Sequence, residues 1–140
     1  MLYLMSYVAA LLVFGAVDAT WLLTVGASLY RPVLGDMLAP SIRIAPAITF
    51  YLMYPIGLVV FAIVPALKAD SSMTALFCGA LFGALAYATY DLTNHAVMRV
   101  WSLQITLVDI AYGAAASGVA SLVAYFLVRS VSGWLGFSTH

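Results

Sequence analysis

The chain contains no glutamate, and ten of its 140 residues, five basic and five aspartate, carry formal charge at pH 7. Soluble domains are about 25% charged and about 45–50% apolar. Here 7% is charged and 66% hydrophobic. No water-soluble fold of this length can hide that much apolar surface. The net charge is zero, with no basic excess to attract nucleic acid. A single cysteine, Cys78, excludes an internal disulfide. Alternating polarity in short strands, the mark of a transmembrane barrel, is missing as well. Met1-Leu2-Tyr3-Leu4 has no basic region ahead of its apolar run, and no small-residue cleavage pattern precedes Asp18, so this stretch reads as a retained first helix and not a removed signal peptide.

What is present is a set of long apolar runs. A span needs about 20 apolar residues, and four stretches qualify, at about 2–25, 45–67, 73–98 and 103–128. The expected fold is all-α: a polytopic, four-transmembrane-helix bundle forming a single domain over 1–140. Lys68 to Ser72 and Arg99 to Ser102 read as tight turns. The first connection, Gly26 to Ile44, is longer and half apolar, which predicts a short interfacial helix or a folded loop on the bilayer. In the mixed tail, Trp134 and Phe137 suit the headgroup level. Arg31, Arg43 and Arg99 belong to one face, Lys68 and Arg129 to the other. The positive-inside rule then places the N-terminus outside.

Small residues prepare helix contacts. Gly79 and Gly83 form a Gly-x-x-x-Gly pair, and Gly113 to Gly118 makes the fourth helix thin, so backbones can approach where dispersion drives association. Pro46, Pro55 and Pro65 punctuate the second helix. Pro55 is interior and should kink it, freeing a carbonyl near Tyr51.

Three of the aspartates, Asp18, Asp91 and Asp109, fall inside the spans. A charge at the centre of a membrane helix costs roughly 2.5–3.5 kcal/mol on insertion scales, and such residues tend to face the protein interior and mark function. With helices alternating in direction, each of the three lies roughly 9–11 Å inside the same membrane face. Tyr51 and Tyr54 of the second helix enter at about that depth. Three carboxylates at one level cannot all be ionised without partners. Arg43, Arg99, a bound cation or protons are the available neutralisers. The run Tyr90-Asp91-Leu92-Thr93-Asn94-His95 is the densest polar patch. At about 100° per residue, Gly83, Tyr87, Tyr90 and Asn94 share a stripe, with Asp91 on its edge and His95 further round. An Asp-x-x-x-His pair can hold a divalent metal or relay protons, but a metal needs three or four ligands, so His95 with Asp91 is a weak candidate. A hydrogen bond from His95 to Asp91 or a headgroup accounts for it more simply. Thr20, Thr24, Thr49, Thr89, Thr93, Thr106 and Ser117 can bond their own helix backbones. Tyr3, Tyr7, Trp21, Tyr30, Trp101 and Tyr125 have an ordinary reading as belt or packing residues, and Asp36 and Asp70 as solvated loop acids.

Several segments together form a pattern: Asp18-x-x-Trp21-Leu22, Tyr30 with Leu34-Gly35, Phe50-Tyr51-x-x-Tyr54-x-x-Gly57-Leu58, Ala86-Tyr87-Ala88-Thr89-Tyr90-Asp91-Leu92-Thr93-Asn94 and Val108-Asp109-x-x-Tyr112-Gly113. The pattern resembles an uncharacterised bacterial family of small four-helix membrane proteins, a domain of unknown function. The likeness covers nearly the whole chain, and Tyr-Asp-Leu-Thr-Asn is its most specific part. It implies a multi-pass location in the bacterial inner membrane and supplies no activity or cofactor. His95 stands where that family usually has an apolar residue, and Tyr112 where it usually has tryptophan. A metal site built on His95 is weakened accordingly.

Three functions fit these residues. One is a pocket that binds, or acts on, a lipid-like amphipathic small molecule. Its polar end would meet Asp18, Asp91, Asn94 and Asp109, with Tyr51, Tyr54, Tyr90 and Trp21 alongside and Arg31, Arg43 and Arg99 available for an anion or headgroup. A second is a small proton- or cation-coupled transporter working as a homodimer, although the acids lie off the midplane and no inverted repeat is visible. A third is an accessory subunit of a larger membrane complex, with the acids bonding helix to helix or His95 ligating a porphyrin, which visible absorbance would reveal.

Overall fold

The computed structural model describes residues 1–136, and the headgroup-level position expected for Phe137 lies outside the described residues. Among these residues there is no strand, and four continuous helical stretches are long and apolar enough to cross a membrane. The first, Leu2–Met37, comprises α1 (Leu2–Trp21), a π-helical turn (Leu22–Gly26), α2 (Ala27–Leu34) and a closing 3₁₀ turn (Gly35–Met37). The second comprises α3 (Ile44–Leu58), a π turn (Val59–Ile63) and α4 (Val64–Lys68). The third is α5 (Ser72–Val97) and the fourth α6 (Leu103–Leu135). The protein is therefore a multi-pass, all-α membrane bundle.

Local chemistry sets the helix ends. Ser71 Oγ accepts from Thr74 N at 3.2 Å, and Ser102 Oγ accepts from Ile105 N at 3.2 Å. Each serine thus satisfies one of the backbone donors left free in a first turn. The π turn of the second span closes shortly before Pro65, whose missing N–H would otherwise bond the Phe61 carbonyl. Pro55 sits within α3 without ending it. The hydrogen bond seen near it is from Tyr7 Oη to the Leu52 carbonyl, 3.0 Å, one residue beyond the carbonyl expected to be freed.

The expected first connection is shorter than its sequence implied. Helix continues through Gly26 and Pro32, and the non-helical part is Leu38 to Arg43. Gly26 is accommodated against the Tyr30 ring, while Gly35, at φ +41°, provides the stop that neither Gly26 nor Pro32 does. At 1.5 Å per residue, the 36 residues of Leu2–Met37 span about 54 Å against a hydrocarbon core of about 30 Å. The last turns must therefore reach or pass the interface. The other departure is at the C-terminal side, where α6 runs on through Arg129 to Leu135 and Gly136 closes it at φ +67°. Trp134 is 94% exposed near that end.

The core forms where α5 and α6 meet α1 and α3. On α5 the buried line is Ala75, Gly79, Gly83 and Asp91. A Cβ on Gly83 would strike the Gly113 carbonyl and Ser117; one on Gly79 would strike Ser117 and Ser121. Missing side chains thus let the two backbones lie in contact. Phe14 of α1 stacks on Tyr54 of α3, centroids 4.4 Å apart, and Leu58, Ile63 and Leu67 are fully or nearly fully buried. By contrast, α2 has no buried residue, and its close backbone neighbours are the turns at its own ends.

Candidate functional site

Asp18, Asp91 and Asp109 are buried, at 5%, 0% and 4% exposure. Phenols surround the first. Tyr51 Oη donates to Asp18 Oδ2 at 2.6 Å; Tyr112 and Tyr87 donate to Oδ1 at 3.0 and 3.4 Å. Tyr30, carried by α2, donates to Asp109 Oδ1 at 2.5 Å. Asp91 adjoins Asp109, yet neither of its oxygens has a hydrogen-bond donor. These two facts agree once the neighbour is recognised as another carboxyl, which can donate only when one of the pair holds a proton. Asp109 and Tyr112 lie one helical turn apart on α6 and link the two acid groups. All three acids therefore gather at one end of the bundle.

Beside them opens a cavity of about 670 Å³. Asp18, Trp21, Leu22, Tyr30 and Leu34 form the wall from the first span, with Leu38 just after it. Ala47, Phe50, Tyr51 and Tyr54 come from α3; Ala86, Tyr87 and Tyr90 from α5; Asp109 and Tyr112 from α6, with Trp101 just before it. Nine of these sixteen residues are aromatic, two are aspartate and none is basic. The rings stack or meet edge to face. Trp21 and Tyr112 stack at 4.0 Å, Tyr87 meets Tyr112 at 75°, and Tyr90 meets Trp101 at 81°. Trp21 Nε1 is buried beside the Tyr30 hydroxyl without a bond of acceptable geometry.

The residues expected from sequence divide. Asp18, Asp109, Trp21, Tyr51, Tyr54 and Tyr90 line the cavity; Asp91 and Asn94 do not. Asp91 lies behind the wall because the buried line on α5 passes through Gly83 and Asp91 instead of turning toward Asn94. Arg31, Arg43 and Arg99 are exposed and form no ion pair with the acids; among the described residues the ion pair present is Arg129–Asp70. The expected solvated acid Asp70 is thus a partner of α6, also accepting from Tyr125 at 3.2 Å. His95 turns from Asp91 and meets Thr106 Oγ1 through Nδ1 at 3.3 Å, while Trp101 Nε1 donates to the same hydroxyl at 3.1 Å. It therefore fastens the end of α5 to the start of α6. Among the described residues no group of three metal-ligating side chains converges.

Sequence reasoning passed over Tyr30 and Trp101 as belt or packing residues, and both line the cavity. Tyr112 carried a usable signal, since it sits three residues from Asp109 and so on its face. Tyr30 stood in the family pattern but carried no geometric sign of reaching Asp109, because its role depends on α2 continuing as helix. The threonines behave as expected: Thr20, Thr49 and Thr89 donate to carbonyls four residues earlier at 2.8, 2.9 and 2.7 Å. Ser117 instead pairs with Tyr54 Oη at 2.8 Å.

Fold and site together define a polytopic helical membrane protein with an acid and tyrosine cavity between its spans. The chain belongs to the family described as "Predicted membrane protein (DUF2177)", which matches residues 3–126. No curated protein and no solved structure matches it.

Proposed function

We propose that this protein, in the bacterial inner membrane, holds a small amphipathic molecule in the cavity between α1, α3, α5 and α6. The carrying observation is the lining: two buried carboxylates at the polar end and aromatic or aliphatic side chains over nearly all the rest. Ligand sites of this kind are apolar enclosures with a few converging polar groups. A ligand with one polar end and an apolar body fits it, because the body replaces lipid contacts while the end meets Asp18 and Asp109. The phenols hold those carboxylates in fixed directions, which lowers the ordering needed on binding.

The test is organic extraction of the purified protein followed by mass spectrometry. The wild type should carry a molecule at near-stoichiometric amount. Ala86→Phe, which fills the cavity from α5, should lose it while keeping its unfolding temperature in detergent. Equal ligand content in wild type and a folded Ala86→Phe would overturn the proposal.

A further inference from the structure

The cavity's hydrogen-bonding character is lopsided. Of its five tyrosines other than Tyr90, four spend their hydroxyl protons on the carboxylates: Tyr30 on Asp109, and Tyr51, Tyr87 and Tyr112 on Asp18. The fifth, Tyr54, is paired with Ser117. The Trp101 N–H is taken by Thr106. What the lining offers an occupant is therefore mainly carboxylate and phenol oxygen lone pairs and aromatic faces. The donors left over are the Tyr90 hydroxyl and Trp21 Nε1, the latter itself enclosed. The cavity also has no positive charge of its own: Arg31, Arg43 and Arg99 are exposed and outside its lining. Directly behind Asp109 stands a third acid, Asp91, with both oxygens unpartnered and no exposure.

Acceptors, ring faces and buried negative groups select one kind of polar end. Resting on the cavity reading above, we infer that the ligand carries an organic cation, an amine or quaternary ammonium group, on its apolar body. Ring faces attract such cations through their quadrupoles, most strongly where water is excluded. Buried acids without a basic partner are completed electrostatically by a positive occupant. A bare metal ion is a poorer match, because no three ligating side chains converge among the described residues. An anionic headgroup would face carboxylates, with the Tyr90 hydroxyl and one indole N–H to receive it. That same N–H can take one ester, ether or hydroxyl oxygen near the cationic end.

The experiment compares three probes of equal chain length, dodecyltrimethylammonium, dodecyl sulfate and dodecanol, added to the full chain in dodecyl maltoside. Trp134→Phe removes the exposed tryptophan at the far end, so that the remaining emission reports Trp21 and Trp101 of the cavity wall. The ammonium probe should bind at least about tenfold tighter than either of the others, the scale of one or two well-placed cation–ring contacts. In Asp18→Asn/Asp109→Asn the preference of the ammonium probe over dodecanol should fall below about threefold. Equal binding of all three probes would leave the cavity reading standing and overturn the cation. Equal or tighter binding of dodecyl sulfate, or a preference that survives in the double variant, would overturn it too. No response to any probe would overturn both readings. The wild-type ranking decides the matter by itself if the double variant fails to fold.

Discussion

The two ends of the bundle treat aspartate in opposite ways. In the turn between α4 and α5, Asp70 meets Arg129, and Tyr125 donates to the same carboxylate. Both charged side chains are about half exposed, at 54% and 51%. Asp70 sits at φ +47°, a left-handed position that Asp tolerates better than most residues. At the other end, Asp18, Asp91 and Asp109 are buried and meet phenols, or nothing, in place of arginine. The first arrangement is complete within the chain: opposite charges in contact, near water, closing a turn against α6. The second is incomplete. Hydroxyls orient the carboxylates but bring no positive charge, and the space beside them is open. The lesson is that burial alone does not separate a latch from a site; what neutralises the acid does.

Variants can break this contrast in a defined order. Asp18→Leu removes the acceptor for Tyr51, Tyr87 and Tyr112 together. Leaving buried phenols unpaired should destabilise the protein by roughly 1–3 kcal/mol, read as a lower unfolding temperature in detergent. Asp18→Asn should retain most of that stability, since an amide oxygen still accepts. Asp91→Leu has the opposite expected sign. Its oxygens lack donors, so replacing them with an apolar side chain should raise stability by roughly 1–2 kcal/mol. A marked loss would show that Asp91 has a partner essential to the fold. Tyr112→Phe keeps the ring on Trp21 but gives up one hydrogen bond to Asp18, with an expected loss of about 0.5–1.5 kcal/mol. Arg129→Ala at the latch should have the smallest effect, a slight fall in unfolding temperature that disappears at high salt. A large, salt-independent loss there would mean that the latch is shielded from water, and the contrast between the two ends would fail.

How much of this was legible differs between the two ends. The spans are written in hydropathy, and the two tight turns in the polar stretches between them. The common level of the three acids followed from counting residues along alternating helices. Two things resisted. The first span was expected to end near Val25, but a glycine packed against Tyr30 and a proline in a short outer helix did not stop the chain; Gly35 did. Tyr30 therefore gave no sign of reaching Asp109, 79 positions away. The latch was hidden for a similar reason. Asp70 looked solvated while α6 was expected to end near Val128, and Arg129 becomes its partner only because helix continues past that point. In both places a local break was overridden by tertiary context, which pattern reading weighs poorly.

The most direct test of the central claim is a density map of the protein extracted in its native lipid. The account predicts non-protein density between the Tyr51 and Tyr112 side chains, with one end against Asp18 and Asp109. A map in which that space is closed by α2 packed flat onto α3 and α6, with Asp18 bonded to a basic side chain of the protein itself, would contradict it.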